Sequence, residues 1–203
     1  MTKEKKRQAL KKLYLKMKAD ESLPLKKGAT NLVFGEGNAS AKIIFIGEGP
    51  GYWEDQKARP FVGNAGAFLN QLLHSIELPR EEVFITNVVN YRPPGNRDPL
   101  PEEINAFRPY IDKMIEIIKP KVIVTLGRFS MAKFIPGVKI TDVHGKKQNI
   151  NWKGREITVI PMYHPAAGLR NGEIKRRTIE DFKNIPGILK EASKVEIEQM
   201  HLM

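Results

Sequence analysis

From residue 41 onward, short apolar segments of strand length alternate with segments whose apolar residues recur at helical spacing. The apolar segments fall at 41–46, 83–89, 121–126 and 157–162. Apolar runs of this length between turn residues are typical of buried parallel strands. Repeated strand-then-helix units, joined by right-handed crossovers, predict a parallel sheet with helices on both faces. We therefore expect the α/β class, as a three-layer α/β/α sandwich with a roughly four-stranded parallel sheet.

Helices between and after these strands are predicted from their apolar spacing. They fall at 65–76, 101–118, 128–134, 176–184 and 188–200. The last two are separated by Pro186-Gly187, a helix-breaking pair. A chain of 203 residues can bury a single sizeable core, so we expect one domain over residues 1–203. Its last part, residues 186–203, is assigned to a C-terminal helix.

Three segments lie outside this alternation. Residues 1–20 are rich in lysine, and their apolar residues recur at helical spacing, which predicts an N-terminal amphipathic helix that packs its apolar stripe on the domain. Residues 32–34 fit either a short strand or a clasp. Residues 145–155, with several glycines, asparagines and lysines, fit either an exposed hairpin or a loop.

The charge balance favours a polyanionic partner. The chain carries 34 basic and 23 acidic residues, a net charge of +11, with a pI near 9.7. Such values are typical of many domains that bind nucleic acids. Composition alone leaves a second interpretation open, in which the basic surface is simply solvated.

Cysteine content and hydropathy exclude several other classes. The chain has no cysteine, which excludes disulfides, thiolate metal sites and cysteine nucleophiles. Its four histidines show no paired spacing typical of metal ligands, so we expect no metal site. No apolar run approaches the roughly 18 residues that span a bilayer, and no signal-peptide pattern follows Met1. We expect an intracellular protein of the cytoplasm or nucleoid with no membrane partner.

The segment from Gly47 to Gly63 is the first candidate functional site. Its sequence, GEGPGYWEDQKARPFVG, follows the apolar segment 41–46 directly, and open α/β sheets bind ligands at the carboxyl ends of their strands. The glycines fit neither the dinucleotide fingerprint nor a phosphate loop. Taken alone, they also fit a tight turn after a strand.

A second candidate is Asn87, whose amide interrupts the apolar segment 83–89. A buried amide needs hydrogen-bond partners, and two interpretations remain open. The amide can be structural and bonded to the backbone. It can also bind a ligand, because a primary amide offers an acceptor beside donors and so matches the N3–H and O4 edge of uracil.

Six sequence blocks together resemble the family 4 uracil-DNA glycosylases, in that family's order and spacing from about Leu23 to Phe182. The blocks are Gly47-Glu48-Gly49-Pro50-Gly51, Glu54-Asp55, Arg59-Pro60-Phe61-Val62-Gly63, Thr86-Asn87-Val88-Val89, Arg92-Pro93-Pro94-Gly95-Asn96-Arg97-Asp98-Pro99 and Tyr163-His164-Pro165-Ala166. The resemblance implies a monofunctional base-excision repair enzyme that flips deoxyuridine out of DNA, hydrolyses its N-glycosidic bond and leaves an abasic site. It implies uracil-containing DNA, single- or double-stranded, as the partner, and we expect a monomer.

The resemblance also assigns catalytic roles. Expulsion of uracil places negative charge on the base and cationic character on the sugar, so a catalyst needs donors at uracil O2 and an anion near C1′. His164 is the candidate donor, assisted by the backbone N–H groups of Glu48 and Gly49. Glu54 is the candidate that orients water or stabilises the sugar cation.

Base recognition is assigned to two further residues. Phe61 matches the aromatic residue on which uracil stacks, and Asn87 is expected to distinguish uracil from cytosine, which has an amino group at C4 and no N3–H. The structural alternatives are a core phenylalanine at Phe61, an exposed loop carboxylate at Glu54 and a strand-closing histidine at His164. Glu48 is expected to contribute mainly its backbone.

Contacts to DNA are expected from two loops. Arg92 and Arg97 belong to a proline-rich basic loop that can bind phosphates. Leu169 and Arg170 follow the histidine motif, where related enzymes insert a side chain into the space left by the flipped base. Leu169 is the candidate for this wedge.

The sequence departs from the family at four positions. Family 4 enzymes typically carry a four-iron four-sulfur cluster on four cysteines, and alignment places those positions at Asp20, Leu23, Tyr91 and Phe107. None of these residues supplies a thiolate, so we expect no iron-sulfur cluster and no other cofactor. Leu23, Tyr91 and Phe107 are expected to pack as an apolar plug instead.

Loss of the cluster leaves two functional hypotheses of different class. Glu48, Glu54, Phe61, Asn87 and His164 are all retained, which favours an active enzyme. The alternative is a non-catalytic module of the same fold that binds uracil or abasic DNA. A nucleotide hydrolase is disfavoured, because the sequence has no metal-binding carboxylate cluster and no phosphate loop.

Overall fold

The structure is a computed structural model, which describes the backbone of residues 1–201 and the side chains of residues 1–194. One sheet contains the strands β1 (Glu36–Gly37), β2 (Ile43–Gly47), β3 (Phe84–Asn87), β4 (Val122–Leu126), β5 (Gln148–Trp152) and β6 (Arg155–Met162). Their order across the sheet is β1-β3-β2-β4-β6-β5. The central strands β3, β2, β4 and β6 are parallel, which confirms the predicted parallel sheet.

Two antiparallel edge strands bring the sheet to six strands, where roughly four were expected. β1 is only two residues long and pairs with β3, while β5 forms a hairpin with β6. Neither carries an apolar run, because edge strands are partly solvated, so the apolar pattern did not predict them. The hairpin was one of the two alternatives for residues 145–155.

The helices are α1 (Lys3–Ala19), α2 (Tyr52–Lys57), α3 (Asn64–Ser75), α4 (Pro101–Ile118), α5 (Arg128–Ala132), α6 (Ile140–Val143), α7 (Pro165–Arg170), α8 (Gly172–Lys183) and α9 (Ile185–His201). The predicted break between the last two lies at Asn184 rather than at Pro186-Gly187. Pro186 instead occupies the first turn of α9, where the missing N–H costs no helical hydrogen bond. The expected C-terminal helix at 186–203 thus begins at Ile185, and Leu202 and Met203 lie outside the described residues.

The helices cover the sheet on both faces and give three layers. α1 and α4 pack on one face, where Leu13 and Phe107 join Ile44 of β2 in the same hydrophobic cluster. α3, α8 and α9 cover the other face, where Phe68 packs in a cluster with Phe45 of β2. Successive residues of β2 therefore face opposite layers, which is why a buried parallel strand reads as a continuous apolar run.

Residues 32–34 form the clasp that was one of their two alternatives. Val33 N–H donates to the Asn90 carbonyl at 2.9 Å, and Asn90 Nδ2 donates to the Val33 carbonyl at 2.9 Å. These bonds tie the segment to the chain after β3. Over residues 1–201, no helix is both long and apolar enough to cross a membrane.

The order of the strands determines where a ligand site can form. From the central strand β2 the chain proceeds to β3 on one side, and it later returns to β4 on the other side. In open α/β sheets such a reversal leaves a crevice at the carboxyl ends of the strands. At this end Gly47 of β2 lies beside Asn87 of β3 in register, and β6 leads into His164.

Candidate active site

A cavity of about 500 Å³ lies at the carboxyl edge of the sheet. Its lining includes every site residue predicted from the sequence except Arg92. These residues are Glu48, Gly49, Glu54, Phe61, Asn87, Arg97, His164, Leu169 and Arg170. A second cavity, of about 390 Å³, lies between the β5–β6 hairpin and α9 and contains none of them.

Gly47 brings an amide and an aromatic ring to the same place. A Cβ on Gly47 would lie 2.4 Å from Asn87 Oδ1 and 2.7 Å from two ring carbons of Phe61. Both distances are shorter than any van der Waals contact, so a residue with a side chain would displace one group or the other. Glycine at this position therefore lets the Asn87 amide and the Phe61 ring meet at the base of the cavity.

Phe61 adopts a strained backbone conformation at this position. Phe61 has φ 51°, a left-handed conformation that costs a bulky residue about 1–3 kcal/mol. Gly66 allows it, because a Cβ there would lie 1.9 Å from the Phe61 carbonyl oxygen. The ring is 5% exposed and lies with its centroid 5.6 Å from that of His164, at an interplanar angle of 29°. Strain of this kind clusters at ligand sites.

Asn87 is buried without hydrogen-bond partners. Its side chain is 1% exposed, and neither Nδ2 nor Oδ1 has a partner within the described part of the chain. The structure thus gives no support to the interpretation of Asn87 as a backbone-bonded structural amide. A donor and an acceptor are left available side by side at the cavity, as the N3–H and O4 edge of uracil requires.

Glu54 is held by the turn that carries Phe61. The N–H groups of Val62 and Gly63 both donate to Glu54 Oε1 at 2.8 Å. Oε2 makes no hydrogen bond to another described residue and lies 2.9 Å from where a Cβ on Gly51 would be. One carboxylate oxygen therefore fixes the side chain, while the other remains free for a substrate or a water molecule.

His164 is fixed as the N-cap of α7. Its Nδ1 accepts a hydrogen bond from the Ala166 N–H at 3.1 Å, and Pro165 occupies the first helical position, where proline is favoured. Because Nδ1 is an acceptor, the proton of the neutral ring lies on Nε2. The side chain lines the cavity, so its Nε2–H is the available donor.

Burial and charge keep the imidazole neutral. Burial, reinforced by the nearby Arg170 guanidinium and opposed by the Glu54 carboxylate, lowers the pKa of His164 to about 4. At neutral pH the ring is therefore an uncharged donor.

The residue before His164 packs against a histidine that contacts α8. Tyr163 is 8% exposed, and its ring centroid lies 4.5 Å from that of His144. His144 Nδ1 in turn lies 2.6 Å from Asp181 Oδ2 on α8. His144 therefore makes a structural contact between Tyr163 and α8.

The two acids beside the glycines have different environments. Glu48 Oε1 accepts from the Phe129 N–H at 3.1 Å, and burial raises the pKa of the Glu48 carboxyl. The N–H groups of Glu48 and Gly49 donate to no other described residue. Asp55 is 2% exposed and accepts from the Thr30 N–H at 2.9 Å, so its carboxylate is structural.

The residues predicted to contact DNA differ in whether their side chains are exposed or already paired. Arg97 lines the cavity, but it forms a two-point ion pair with Glu103, at 2.6 and 2.9 Å. Leu169 is 47% exposed and Arg170 is also exposed, both on α7. Arg92 lies outside the lining.

Other residues of the cavity were not singled out from the sequence. Asn64, Asn96 and Asp98 line it, and each lies in or directly after a block that carries the family resemblance. Their position within those blocks, and the carboxamides of the two asparagines, are the signals that point to them.

The four positions of the family's cluster form a packed region between the segment after α1, the loop after β3 and α4. Leu23, Tyr91 and Phe107 are 6%, 4% and 0% exposed, and the centroids of the two rings are 6.2 Å apart. Asp20 accepts from the Tyr110 hydroxyl at 2.5 Å. With no cysteine in the chain, these residues do not fit a four-iron four-sulfur cluster. Elsewhere in the described residues, no group of three His, Asp or Glu side chains is placed to bind a metal.

Comparisons with known proteins agree with the geometry. Residues 34–183 match the sequence model of the Uracil DNA glycosylase superfamily. A type-4 uracil-DNA glycosylase of Sulfurisphaera tokodaii is 50% identical, over 77% of this chain and 74% of the relative. Type-4 uracil-DNA glycosylases of Archaeoglobus fulgidus and Thermotoga maritima are 46% and 42% identical, over 79% and 86% of this chain and 83% and 92% of the relatives. The chain therefore belongs to the uracil-DNA glycosylase superfamily, as a type-4 (family 4) member without the cysteines of the iron-sulfur cluster.

Proposed function

We propose that this protein is a monofunctional uracil-DNA glycosylase of base-excision repair. It hydrolyses the N-glycosidic bond of a deoxyuridine flipped out of DNA, releases uracil and leaves an abasic site. The observation that carries the proposal is the Asn87 amide, which has no partner among the described residues and is buried beside the Phe61 ring in a cavity that also contains Glu54 and His164.

In the proposed complex, uracil lies against the Phe61 ring and pairs with Asn87. Asn87 Oδ1 accepts from N3–H and Nδ2 donates to O4. With the amide in this orientation, cytosine would place its C4 amino donor against Nδ2 and its N3 acceptor against Oδ1, so both amide atoms of Asn87 would stay unsatisfied. A buried polar group without a partner costs about 1–3 kcal/mol, which discriminates against cytosine.

Cleavage of the glycosidic bond moves negative charge onto uracil and positive charge onto the sugar. The Nε2–H of neutral His164 and the N–H groups of Glu48 and Gly49 donate to uracil O2 as that charge develops. The free Oε2 of Glu54 stabilises the cationic sugar and orients the water that attacks C1′. Both roles need groups that are already held in place, and the bonds at Glu54 Oε1 and His164 Nδ1 do this.

We further propose that the reaction needs no cofactor and that the enzyme acts as a monomer. Its substrate is uracil-containing DNA, in either single- or double-stranded form. The exposed Leu169 is proposed to fill the space left by the flipped base, and Arg92, Arg97 and Arg170 to contact DNA. We place the protein in the cytoplasm or nucleoid, where DNA is accessible, and regard residues 1–203 as one domain.

The proposal is tested with oligonucleotides that carry one deoxyuridine, followed by alkaline cleavage of abasic sites. The parent protein is expected to generate abasic sites, and Glu54→Gln and His164→Asn to lower the rate by at least about 100-fold, the usual effect of losing one preorganised group. Leu15→Ala, on the exposed face of α1, is the matched control and retains the parent rate.

A non-catalytic module of the same fold gives a different result in the same experiment. It would bind uracil-containing or abasic DNA and generate no abasic sites. Binding without cleavage by the parent protein would therefore refute the enzyme and support the binding module.

A further inference from the structure

Two neighbouring aromatic side chains lie exposed beside the candidate active site. Tyr52 and Trp53 are 48% and 56% exposed and belong to the first turn of α2. In sequence they lie between Gly51 and Glu54, which both line the cavity. The proposed uracil pocket uses neither ring. Two adjacent exposed aromatic rings form a contiguous apolar surface, which marks a binding site more often than a singly exposed side chain does.

Cationic side chains flank both rings. The guanidinium carbon of Arg92 lies 5.2 Å from the Tyr52 ring centroid, and Lys57 Nζ lies 5.9 Å from that of Trp53. Arg92 is the predicted DNA contact that does not line the cavity. Aromatic rings with interspersed cations are the means by which proteins bind single-stranded nucleic acids, since bases stack on the rings and phosphates approach the cations.

The indole packs against Tyr52 and lies near the turn that holds Glu54. The Tyr52 and Trp53 rings meet edge to face, with centroids 5.1 Å apart and an interplanar angle of 77°. Trp53 Cδ1 lies 3.6 Å from where a Cβ on Gly63 would be, and the Gly63 N–H anchors Glu54. Arg92, which packs on Tyr52, donates to Asn96 of the cavity lining at 2.7 Å. The two rings do not line the cavity themselves, but they lie next to residues that do or that hold those residues.

We infer that Trp53, supported by Tyr52 and flanked by Arg92 and Lys57, is a stacking platform for a nucleobase next to the deoxyuridine in single-stranded DNA. The inference rests on the proposed function for the identity of the strand in the cavity. In a duplex the neighbouring base is paired and stacked within the helix, so its face is unavailable to the indole. The platform therefore favours single-stranded over double-stranded substrate.

Tryptophan fluorescence tests this directly. The chain has two tryptophans, so Trp152→Phe leaves Trp53 as the only indole. Titration with a uracil-free single-stranded oligonucleotide is expected to quench its emission in a saturable way, and the duplex of the same sequence to quench it less. Emission from Trp53 that does not respond to the single strand would overturn the inference.

Affinity measurements with the same oligonucleotide give a second readout. Trp53→Ala is expected to weaken binding of the single strand by about 5- to 150-fold, the range for loss of one stacked base. Trp53→Phe keeps an aromatic face and should retain most of the affinity, and Leu15→Ala should retain all of it. Equal affinity of Trp53→Ala and the parent protein would contradict the platform.

Uracil-free DNA separates this inference from the proposed function. Quenching of Trp53 by single strands, in a protein that generates no abasic sites, would support the platform and refute the glycosylase. Release of uracil without quenching, and with no loss of affinity in Trp53→Ala, would refute the platform and leave the glycosylase standing.

Discussion

At the scale of single residues, Asn87 is the side chain whose placement is hardest to explain without a ligand. It is 1% exposed, and both amide atoms lack partners within the described residues. The sequence predicted that this amide interrupts a strand, but not that it is unsatisfied. Its hydrogen bonding depends on the register of β2 with β3 and on the absence of a side chain at Gly47, which apolar patterning does not specify.

Replacement of Asn87 by alanine separates function from stability. The free energy of unfolding is expected to stay unchanged or to rise by about 1 kcal/mol, because two unsatisfied buried groups are removed. Uracil excision is expected to fall by about 5- to 150-fold, equivalent to about 1–3 kcal/mol of lost base recognition. Urea denaturation and excision rates measure the two effects. A large loss of stability in Asn87→Ala would instead identify a structural amide.

His164 links the site to pH. Its pKa in the folded protein is lowered from 6.5 to about 4, because burial and Arg170 lower it more than Glu54 raises it. Between these values the unfolded chain binds a proton that the folded chain does not, so acidification favours unfolding. This contribution is absent above about pH 7 and is complete below about pH 4.

The prediction concerns the difference in the free energy of unfolding between the parent and His164→Asn, because the contributions of the other titrating groups cancel in that difference. From pH 7 to pH 4, the parent is expected to lose about 2–3 kcal/mol of stability relative to His164→Asn. Urea denaturation of both proteins at the two pH values measures this difference. A difference that does not change with pH would show that His164 is not held neutral.

At the scale of elements, the apolar pattern predicted the elements with several buried residues and missed short ones such as α2 and α7. β2, β4, β6 and α4 carry several buried residues each and were predicted with small errors at their ends. α2 and α7 have six residues each, too few for a helical period to show. The cavity is built largely on such short elements and their loops. The segment 47–63 and Asn87 were identified from their positions relative to predicted strands, and the other residues of the cavity from motif resemblance.

The region at Asp20, Leu23, Tyr91 and Phe107 is the element-scale counterpart of the missing cluster. Buried side chains, rather than ligands of a metal cluster, connect the N-terminal segment to α4 and to the chain after β3. Full burial of one large apolar side chain stabilises by about 1.5–3 kcal/mol. The Tyr110 hydroxyl adds a hydrogen bond to Asp20, and burial with this bond raises the pKa of Tyr110 to about 12.

Truncation of this plug tests its role. Phe107→Ala is expected to lower the free energy of unfolding by about 3–5 kcal/mol, as for other buried phenylalanines. Phe107→Leu, which keeps an apolar side chain, should cost clearly less. Chemical denaturation measures both variants. An iron chelator should change neither the parent nor Phe107→Leu, and destabilisation of the parent by the chelator would contradict the account.

At the scale of the whole molecule, fold and charge act together. The parallel sheet with helices on both faces was predicted, and its strand order places the cavity at the carboxyl edge. The net charge of +11 favours DNA over a neutral ligand without indicating where it binds. The distribution of that charge over the surface depends on tertiary contacts, such as the Arg97–Glu103 ion pair, which sequence alone does not reveal.

The charge predicts a strong salt dependence of DNA binding. A site that neutralises about four phosphates of a single strand loses about 50-fold in affinity between 50 and 200 mM salt. Titration of a uracil-free oligonucleotide at several salt concentrations measures the slope. The free energy of unfolding over the same range is the control. Affinity that does not depend on salt would contradict phosphate binding by the basic surface.

The central claim is that this pocket excises uracil without iron-sulfur support. The most direct test is chromatographic measurement of free uracil released from a single-stranded deoxyuridine oligonucleotide, with protein purified and assayed in an iron chelator. We predict catalytic release of uracil by the parent, release reduced at least about 100-fold in Glu54→Gln, and none from the matching deoxycytidine oligonucleotide. Absence of uracil release by the folded parent protein would contradict the account.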